Sequence, residues 1–562
     1  MRRSMIVTVL LFAFLGPAAV HAQSRPEVQG RESAVVAGHP LAAAAGMDVL
    51  RRGGNAVDAA VTMAAVLAVV RPHMNGIGGD AFLLLREGRS GRVRALNGSG
   101  RSPAAATPAA MRELGYTEMP GRGIHSVTVP GAVRAWAEAL RRHGTIPLDI
   151  ALTPAIHYAE HGFPVSEKLA GDIAAYRRRI EEDPALAAVF LPGGEPPAPG
   201  SILYQQDLAR TLQDIARDGP DAFYIGQIAQ HIDAFMHSAG GLLTIADLAA
   251  HSPLWQEPIA TTYAGHRVLA FPPNSQGVAM LMQMNMAELY DLEALGHNSA
   301  QYVHTLVELK KLAFAERDRY VTDPSFADIP LERLISKDHA RRLVEQFRSS
   351  AAADAALRSG SSGSSGTSSQ GDAEEGDGDT VFLAAVDRHG NAVALIQSLY
   401  SAFGSGRMVP GTGMILHNRG ALFSLDEDHV NVLAPEKRTY HTLAPAMALR
   451  PDGSLYMVFG TPGGDGQTQT LLQVFNNIVL FGMNPQSAVE APRWRSMPDS
   501  TLKIEAGVPL AERERLAAMG HDLELEERPS SDLGGAQVIL ITASGARAVG
   551  ADPRREAYGI AW

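Results

Sequence analysis

The chain has 562 residues, which is enough to bury a large core and to form two or more domains. Its formal net charge of -11 and the lack of any Lys/Arg-rich run argue against a nucleic-acid partner. The sequence has no cysteine, which excludes disulfides, thiolate metal ligands and thiol nucleophiles, and its 19 histidines show no metal-site spacing, so we predict no metal.

The first 22 residues have the three parts of a secretory signal peptide. Arg2-Arg3 form the positive region, residues 6–15 the apolar stretch, and Val20-His21-Ala22 a small-residue cleavage site. Because this apolar stretch is too short to span a membrane comfortably, we predict a cleaved signal and a periplasmic or secreted protein without a stable membrane anchor. An uncleaved membrane anchor is the alternative. The Arg2-Arg3 pair alone does not decide between the general secretory route and the twin-arginine route.

Residues 32–347 alternate helical and strand-like patterns. The predicted helices cover 41–50, 58–70, 133–142 and 299–319, and a short strand covers 82–85. The charged side chains of the last helix are predicted to form a solvated face: Glu308, Lys310, Lys311, Glu316, Arg317 and Asp318.

Two loops within residues 32–347 contain residues with a candidate function. The Gly-rich run 76–81 imitates a dinucleotide-binding fingerprint, but it follows a helix rather than a strand, so we predict a structural turn. Arg101 stands alone in a Gly/Ser loop, where an arginine can clamp a substrate carboxylate with two hydrogen bonds. A plain surface arginine is the alternative for Arg101.

An acidic, Ser/Gly-rich segment, 349–379, precedes Thr380. Its composition cannot bury enough apolar surface to offset its ordering entropy, so we predict a disordered linker. The apolar run 381–386 that follows is typical of a buried strand. If the Asp379–Thr380 bond were cut, Thr380 would become an N-terminal residue whose own amine can act as base for its hydroxyl.

Two strands, 381–386 and 392–397, flank a five-residue loop rich in turn formers. A hairpin centred on His389 places Ser398 opposite Thr380, with Cβ atoms about 4.5–5.5 Å apart. Ser398 is therefore predicted to hydrogen-bond the threonine. The alternative is a core hairpin whose end residues face solvent.

The chain after this hairpin combines further strands with a helix at 467–481. The glycines of 461–466 lie between a strand and that helix, where exposed N–H groups can bind an anion or an oxyanion; an ordinary turn is the alternative. Strands are also predicted at 501–504 and 536–542. Mixed strands and helices without a regular βαβ repeat predict an α+β layered sandwich.

Nine ordered motifs resemble the γ-glutamyltranspeptidase family of N-terminal-nucleophile hydrolases. They are GGNAVDAA (53–60), RPHMNGIGGD (71–80), VPGAVRAW (129–136), FPPNSQG (271–277), GDTVFLAAVDRHGNAVALIQS (378–398), FGSG (403–406), GTGMILHN (411–418), GTPGGDGQ (460–467) and ADPRREAYG (551–559).

The resemblance implies a four-layer αββα sandwich made from a self-cleaving precursor. Cleavage between Asp379 and Thr380 would give a large subunit, 23–379, and a small catalytic subunit, 380–562, that stay associated. Thr380 would be the nucleophile and its freed amine the base, Ser398 would support it, and the N–H groups of Gly463 and Gly464 would form the oxyanion hole. No cofactor is implied.

The sequence departs from the family pattern where substrate recognition is concerned. Val381 and Phe382 replace a threonine and a histidine that follow the nucleophile in the family. The family's carboxylate-binding arginine falls at Ser99, two residues from Arg101, and its α-amine-binding acid falls at Leu422. The substrate-binding candidates are Arg101, Tyr400, Arg419, His441 and Thr442.

We therefore predict an acyl-enzyme mechanism that cleaves γ-glutamyl-type amides such as glutathione, with water or an amine as the acceptor. An acylase or small-amide hydrolase on the same scaffold, resembling glutaryl acylases or oxamate amidohydrolases, is the alternative. A non-catalytic periplasmic binding protein is a further one.

Overall fold

A computed structural model of the chain describes residues 24–345 and 379–562. The predicted signal peptide, 1–22, and the predicted linker, 349–379, except for Asp379, lie outside the described residues. Asp379 itself belongs to the strand that carries Thr380, so this strand begins two residues earlier than the sequence pattern predicts.

The strands of the described chain are short to medium in length. They are β1 (Val28–Gly30), β2 (Ala34–Ala37), β3 (Asp80–Arg86), β4 (Val93–Asn97), β5 (Phe163–Pro164), β6 (Ile202–Leu203), β7 (Leu254–Gln256), β8 (Ile259–Tyr263), β9 (His266–Ala270), β10 (Asp379–Val386), β11 (Ala392–Tyr400), β12 (Met408–Val409), β13 (Met414–Ile415), β14 (Ala446–Leu449), β15 (Leu455–Gly460), β16 (Trp494–Ser496), β17 (Thr501–Glu505), β18 (Asp522–Glu526), β19 (Gln537–Ile541), β20 (Arg547–Ala551) and β21 (Tyr558–Ala561).

The α-helices lie mainly in the first half of the chain. They are α1 (Pro40–Arg51), α2 (Ala56–Val70), α3 (Pro108–Glu113), α4 (Ala132–His143), α5 (Leu148–His161), α6 (Glu167–Ala175), α7 (Arg177–Glu181), α8 (Pro184–Phe190), α9 (Gln206–Asp218), α10 (Asp221–Tyr224), α11 (Gln227–Ser238), α12 (Ile245–Ala250), α13 (Gly277–Ala287), α14 (Leu292–Leu295), α15 (Ala300–Tyr320), α16 (Leu331–Leu334), α17 (Lys337–Val344), α18 (Gln467–Val479), α19 (Pro485–Glu490) and α20 (Leu510–Ala518).

Two seven-stranded sheets form the centre of the molecule. One has the strand order β21-β2-β10-β11-β3-β4-β7 and the other β1-β20-β19-β15-β14-β9-β8. Both sheets combine strands from the two sides of the Asp379–Thr380 bond. In the first sheet β10, β11 and β21 lie beside β2 or β3, and in the second β1, β8 and β9 lie in one sheet with β14, β15, β19 and β20.

The alternation of side chains along β10 identifies the layers. Val381 and Leu383 belong to the core that the first sheet shares with helices such as α2. Phe382 and Ala384 point the other way, into a core formed between the two sheets. The second sheet buries its outer face against α13, α15 and α18. This helix–sheet–sheet–helix order is the predicted αββα arrangement.

Helix α2 fits this frame because its sequence is apolar on every side. All of its residues are buried, as expected for a helix enclosed by a sheet and other helices. Asn55 caps its start by accepting from the N–H of Val57 (2.8 Å), while Asp58 accepts from the N–H of Asn55 (2.7 Å).

The predicted solvated face of α15 is wrong for its central residues. Glu308, Lys310 and Arg317 are at most 5% exposed, because α15 packs between α13 and the C-terminal part of the chain. Arg317 is paired with Asp465 (2.9 Å), and burial, with the charge of Arg317, lowers the pKa of Lys310 to about 7. Long-range packing, not local pattern, decides the environment of these charges.

Among the described residues, no helix combines the length and the apolar character that crossing a membrane requires.

Candidate active site

The nucleophile candidate lies at the start of the β10–β11 hairpin. Thr380 pairs with Ser398 in the register that the five-residue turn predicts. Both residues are 1% exposed, and the Thr380 hydroxyl donates to Ser398 Oγ at 3.2 Å. The local pairing of two strands is thus enough to bring these hydroxyls together.

The hydroxyl of Ser398 also contacts the peptide bond before Thr380. It donates to the carbonyl oxygen of Asp379 at 2.7 Å and accepts from the N–H of Tyr400 at 2.7 Å. Tyr400 itself has a positive φ of 81°, an uncommon conformation for a residue with a side chain. This serine therefore joins the nucleophile to the carbonyl that self-cleavage would attack.

Asp80 completes a row of polar residues across three neighbouring strands. Asp80 on β3 pairs with Ser398 on β11, which pairs with Thr380 on β10. The three residues therefore share the face of the first sheet that points toward the second sheet. The sequence pattern predicts only a structural turn at 76–81 and no role for this carboxylate, which begins β3. The available signal was a lone acid at the start of an apolar strand.

The Asp80 carboxylate is fully buried and surrounded by nitrogen atoms. His441 Nε2 lies 3.2 Å from it, His417 Nδ1 3.4 Å and Arg419 Nε 3.9 Å, and Gly100 donates its N–H at 3.1 Å. Burial alone would raise the pKa of Asp80, but the two histidines outweigh it and hold that pKa well below its usual range. Asp80 is thus an anion inside the site.

His441 is held neutral beside Asp80. Burial, with the charge of Arg419, lowers the pKa of His441 to about 3. Its Nδ1 accepts from the N–H of Leu443 at 3.3 Å, which leaves the proton on Nε2, toward Asp80.

Arg419 is the cation of the site. Its guanidinium stacks on the Tyr400 ring, 4.6 Å from the centroid, and donates to Thr442 Oγ1 at 3.2 Å. Among the described residues, its Nε and Nη2 have no hydrogen-bond partner although the side chain is 1% exposed. Burial lowers the pKa of Arg419 to about 10, which still leaves it charged at neutral pH.

The predicted oxyanion loop lies between β15 and α18. Gly463 and Gly464 have φ values of 123° and 51°, which glycine adopts without strain. In the described chain neither N–H donates a hydrogen bond to the protein, so both are free for a ligand. An oxyanion hole formed by Gly463 and Gly464 stays a prediction.

Gln276 connects this loop to the segment that contains His441 and Thr442. Its Nε2 donates to the carbonyls of Gly464 (2.9 Å) and Thr442 (2.7 Å). Its Oε1 accepts from Arg317 Nη1 (3.0 Å), which also pairs with Asp465. Gln276 belongs to the FPPNSQG motif of the family resemblance, but the sequence alone predicts no role for it.

The remaining candidate, Arg101, makes a different contact. Its Nη1 donates to the backbone carbonyl of Glu436 at 2.6 Å, and no described hydrogen bond joins it to Thr380 or Arg419. A substrate-binding role for Arg101 stays a prediction, whereas Tyr400, Arg419, His441 and Thr442 lie together.

A group of potential metal ligands lies outside this network. His304, Glu308 and His521 are buried and bring ligand atoms within 4.8 Å of one another. His304 Nδ1 lies 2.9 Å from His521 Nε2, and Lys311 pairs with Glu308 at 2.7 Å. Sequence spacing gave no sign of this group, because His521 is 217 residues from His304.

The family model of γ-glutamyltranspeptidase matches residues 42–562 of this chain. The chain belongs to the γ-glutamyltranspeptidase family. It is therefore an enzyme of the N-terminal-nucleophile hydrolases, and its α+β sandwich is the fold of its relatives.

Relatives within the family carry different activities in their names. The chain is 39% identical to the glutathione hydrolase-like YwrD proenzyme of Bacillus subtilis (strain 168), over 95% of this chain and 99% of the relative. It is 36% identical to the oxamate amidohydrolase proenzyme of Klebsiella pneumoniae subsp. pneumoniae, over 92% and 96%. The crystal structure of cephalosporin acylase from Bacillus halodurans matches with a TM-score of 0.88 and 37% identity, over 98% and 99%.

Proposed function

We propose that this member of the γ-glutamyltranspeptidase family cleaves itself between Asp379 and Thr380 and then works as an N-terminal-threonine amidohydrolase. The observation that carries the proposal is the hydrogen-bonded chain from Thr380 Oγ1 through Ser398 Oγ to the Asp379 carbonyl oxygen. The word proenzyme in the names of two relatives supports it.

In self-cleavage, Thr380 Oγ attacks the Asp379 carbonyl carbon while Ser398 donates to its oxygen. The C–N bond breaks, the proton lost by the hydroxyl ends on the Thr380 nitrogen, and an ester links Asp379 to Thr380 Oγ. Water then hydrolyses the ester. The products are a carboxylate on Asp379 and a free amine and hydroxyl on Thr380.

In turnover, the freed amine of Thr380 accepts the proton of its own hydroxyl as that oxygen attacks the substrate amide. An α-amine has an ordinary pKa of about 7.7–8.0, which suits a base near neutral pH. The N–H groups of Gly463 and Gly464 stabilise the oxyanion, the amine leaves with the proton, and water or a second amine releases the acyl group.

For the acyl group, we propose a carboxylate-bearing acyl chain that needs no α-amine, as in the acylase and small-amide alternative. Support comes from Arg419, a buried cation: among the described residues its Nη2 has no hydrogen-bond partner, and its Nε lies 3.9 Å from Asp80 without a hydrogen bond. An α-ammonium finds less support, because the family's acid is replaced by Leu422 and Asp80 is already contacted by Arg419 and two histidines.

The test compares glutaryl-, succinyl- and γ-glutamyl-p-nitroanilides, with oxamate as a small amide. We expect kcat/KM for the best des-amino substrate to be at least tenfold higher than for the γ-glutamyl anilide. The α-ammonium of the γ-glutamyl group would lose its hydration without gaining a charge-assisted hydrogen bond, which is worth about 1.5–3 kcal/mol. Arg419→Gln is expected to raise KM at least tenfold for the glutaryl and the γ-glutamyl anilide alike, since both carry the carboxylate that Arg419 would bind. Thr380→Ala is the inactive control. Faster cleavage of the γ-glutamyl anilide would instead favour glutathione-type substrates.

We also propose export to the periplasm or the medium, on the strength of the signal-like first 22 residues. Fractionation of cells that express the full chain, with N-terminal sequencing, tests this. A mature chain that starts at Gln23 is expected, and an intact Met1 in the cytosol would contradict it.

A further inference from the structure

A buried ion pair anchors the residue that precedes the nucleophile. Arg555 Nη1 lies 3.1 Å from Asp379 Oδ1, and their side chains are 6% and 12% exposed. A buried charge is costly unless it is paired, so each group holds the other in place. Asp379 is also the residue whose carbonyl would be attacked in self-cleavage.

Arg555 is fixed by contacts that do not involve Asp379. It ends a short 3-10 turn, Pro553–Arg555, and its Nε donates to the carbonyl of Ser531 at 2.9 Å. Its aliphatic part lies against Gly535, where an added Cβ would be 2.8 Å from the Cβ of Arg555. These contacts hold the Arg555 side chain in position to pair with the Asp379 carboxylate.

The strand pairing is irregular at the point where this anchor acts. Thr380 pairs with Ser398 but Asp379 pairs with Tyr400, so the register shifts between the two residues of the bond to be cut. The regular ladder is therefore interrupted at this bond. Here the Asp379 carbonyl oxygen accepts from the Ser398 hydroxyl, and the Asp379 carboxylate accepts from Arg555 Nη1.

We infer that the Arg555–Asp379 ion pair positions the Asp379–Thr380 peptide for self-cleavage, an inference that rests on the proposed self-processing. Arg555 is then a positioning residue for maturation. It touches neither the attacking oxygen nor the carbonyl, and it acts by holding the carbonyl carbon before Thr380 Oγ and the carbonyl oxygen against Ser398.

The experiment follows the cutting of freshly made full-length precursor by intact mass over time. The variants are Asp379→Asn, Arg555→Ala, Arg555→Lys and the Asp379→Asn/Arg555→Ala double variant. We expect each single change to an uncharged residue to slow cutting at least tenfold, and the double variant to be no slower than the slower single variant. Added guanidinium should partly restore cutting of Arg555→Ala.

Matched controls separate positioning from loss of fold. Asp426→Asn and Arg515→Ala remove the same charges at exposed positions and should cut at the wild-type rate. If Arg555→Ala does not fold, Asp379→Asn carries the test, because it keeps the side-chain shape. Wild-type cutting by Asp379→Asn, or additive effects in the double variant, would overturn the inference. A wild-type chain that never cuts would overturn the proposed self-processing instead.

Discussion

Ser398 links the Thr380 hydroxyl by hydrogen bonds to the carbonyl of the Asp379–Thr380 peptide bond. Its hydroxyl receives hydrogen bonds from Thr380 and from the N–H of Tyr400, and it gives its own proton to the Asp379 carbonyl. A hydroxyl can donate one hydrogen bond and accept others at a single atom. This double role explains why a small hydroxyl residue stands opposite Thr380.

We predict that Ser398→Ala slows self-cleavage by at least tenfold, while Ser398→Thr retains most of the rate. Alanine removes the donor to the carbonyl, and losing one oxyanion donor typically costs about 10²–10³ in rate. Intact mass against time after expression measures the effect. Equal rates for the alanine variant and the wild type would exclude a role for this hydroxyl.

The two residues after the nucleophile have a packing explanation. Val381 faces the helices and Phe382 faces the second sheet, and both are at most 2% exposed. The threonine and histidine that the family resemblance leads us to expect at these positions would meet apolar surroundings here. Val381 and Phe382 are therefore explained by the packing of the core, and they carry little information about the substrate.

The strand β15 approaches the nucleophile strand closely because it ends in Gly460. A Cβ added at Gly460 would lie 2.2 Å from the ring of Phe382. The two sheets thus reach their spacing at this corner only with a glycine opposite the aromatic ring.

We predict that Gly460→Ala lowers the free energy of unfolding by about 1–3 kcal/mol, the usual cost of overpacking a core. Urea unfolding measures the change. Gly171→Ala is the matched control, since nothing lies within 4 Å of its added Cβ, and it should not destabilise the protein. Equal destabilisation of both variants would contradict the packing argument.

The loop between β15 and α18 depends on elements from the other half of the chain. Gln276, just before α13, binds the carbonyls of Gly464 and Thr442, and Arg317 on α15 holds Gln276. The position of this loop, which carries the predicted oxyanion donors, therefore depends on Gln276 and on α15.

We predict that Gln276→Leu lowers kcat about tenfold or more with a smaller change in KM, because the loop loses its anchor while the substrate groups remain. Steady-state kinetics on the best anilide, with the processed enzyme, measure both constants. The exposed Gln206→Leu is the control. A rise in KM alone would place Gln276 in substrate binding rather than in support of the loop.

At the scale of the whole molecule, the two predicted subunits share both sheets. Strand β10 lies between β2 and β11, and β11 lies beside β3. Cleavage before Thr380 separates only the first residue of β10, and the pairs from Thr380 onward with β11 and of Leu383–Val386 with β2 remain. This interleaving explains how the fragments of a cut chain can remain one folded body.

The whole molecule should also be sensitive to mild acid. Burial, the largest cause in each case, lowers the pKa of His39, His251 and His441 to about 3 and that of His521 to about 4. An unfolded histidine has a pKa of about 6.5 and binds a proton below it, whereas these folded ones do not. Stability is therefore complete above about pH 6.5 and is lost as the pH falls toward 4.

Each such histidine changes the free energy of unfolding by up to about 1.4 kcal/mol per pH unit in that window. We expect urea midpoints to fall steadily between pH 7.5 and 4.5. His251→Gln should flatten the dependence, while His231→Gln, at an exposed position, should not. A midpoint that does not change between pH 7.5 and 5 would contradict this account.

The sequence by itself determined the features that depend on near neighbours. The pairing of Thr380 with Ser398 follows from a five-residue turn, and the donors of Gly463 and Gly464 follow from glycines between a strand and a helix. Nine ordered motifs likewise led to the family. Local geometry restricts such segments so strongly that little else can alter them.

Only the tertiary structure decided which distant groups complete the site. Asp80 and His441 are 361 residues apart, Gln276 and Gly464 are 188 apart, and Asp379 and Arg555 are 176 apart. No local pattern relates such positions. Whether a charge such as Arg317 is solvated or buried depends on what packs against it, and that is fixed only when the two sheets and their helices come together.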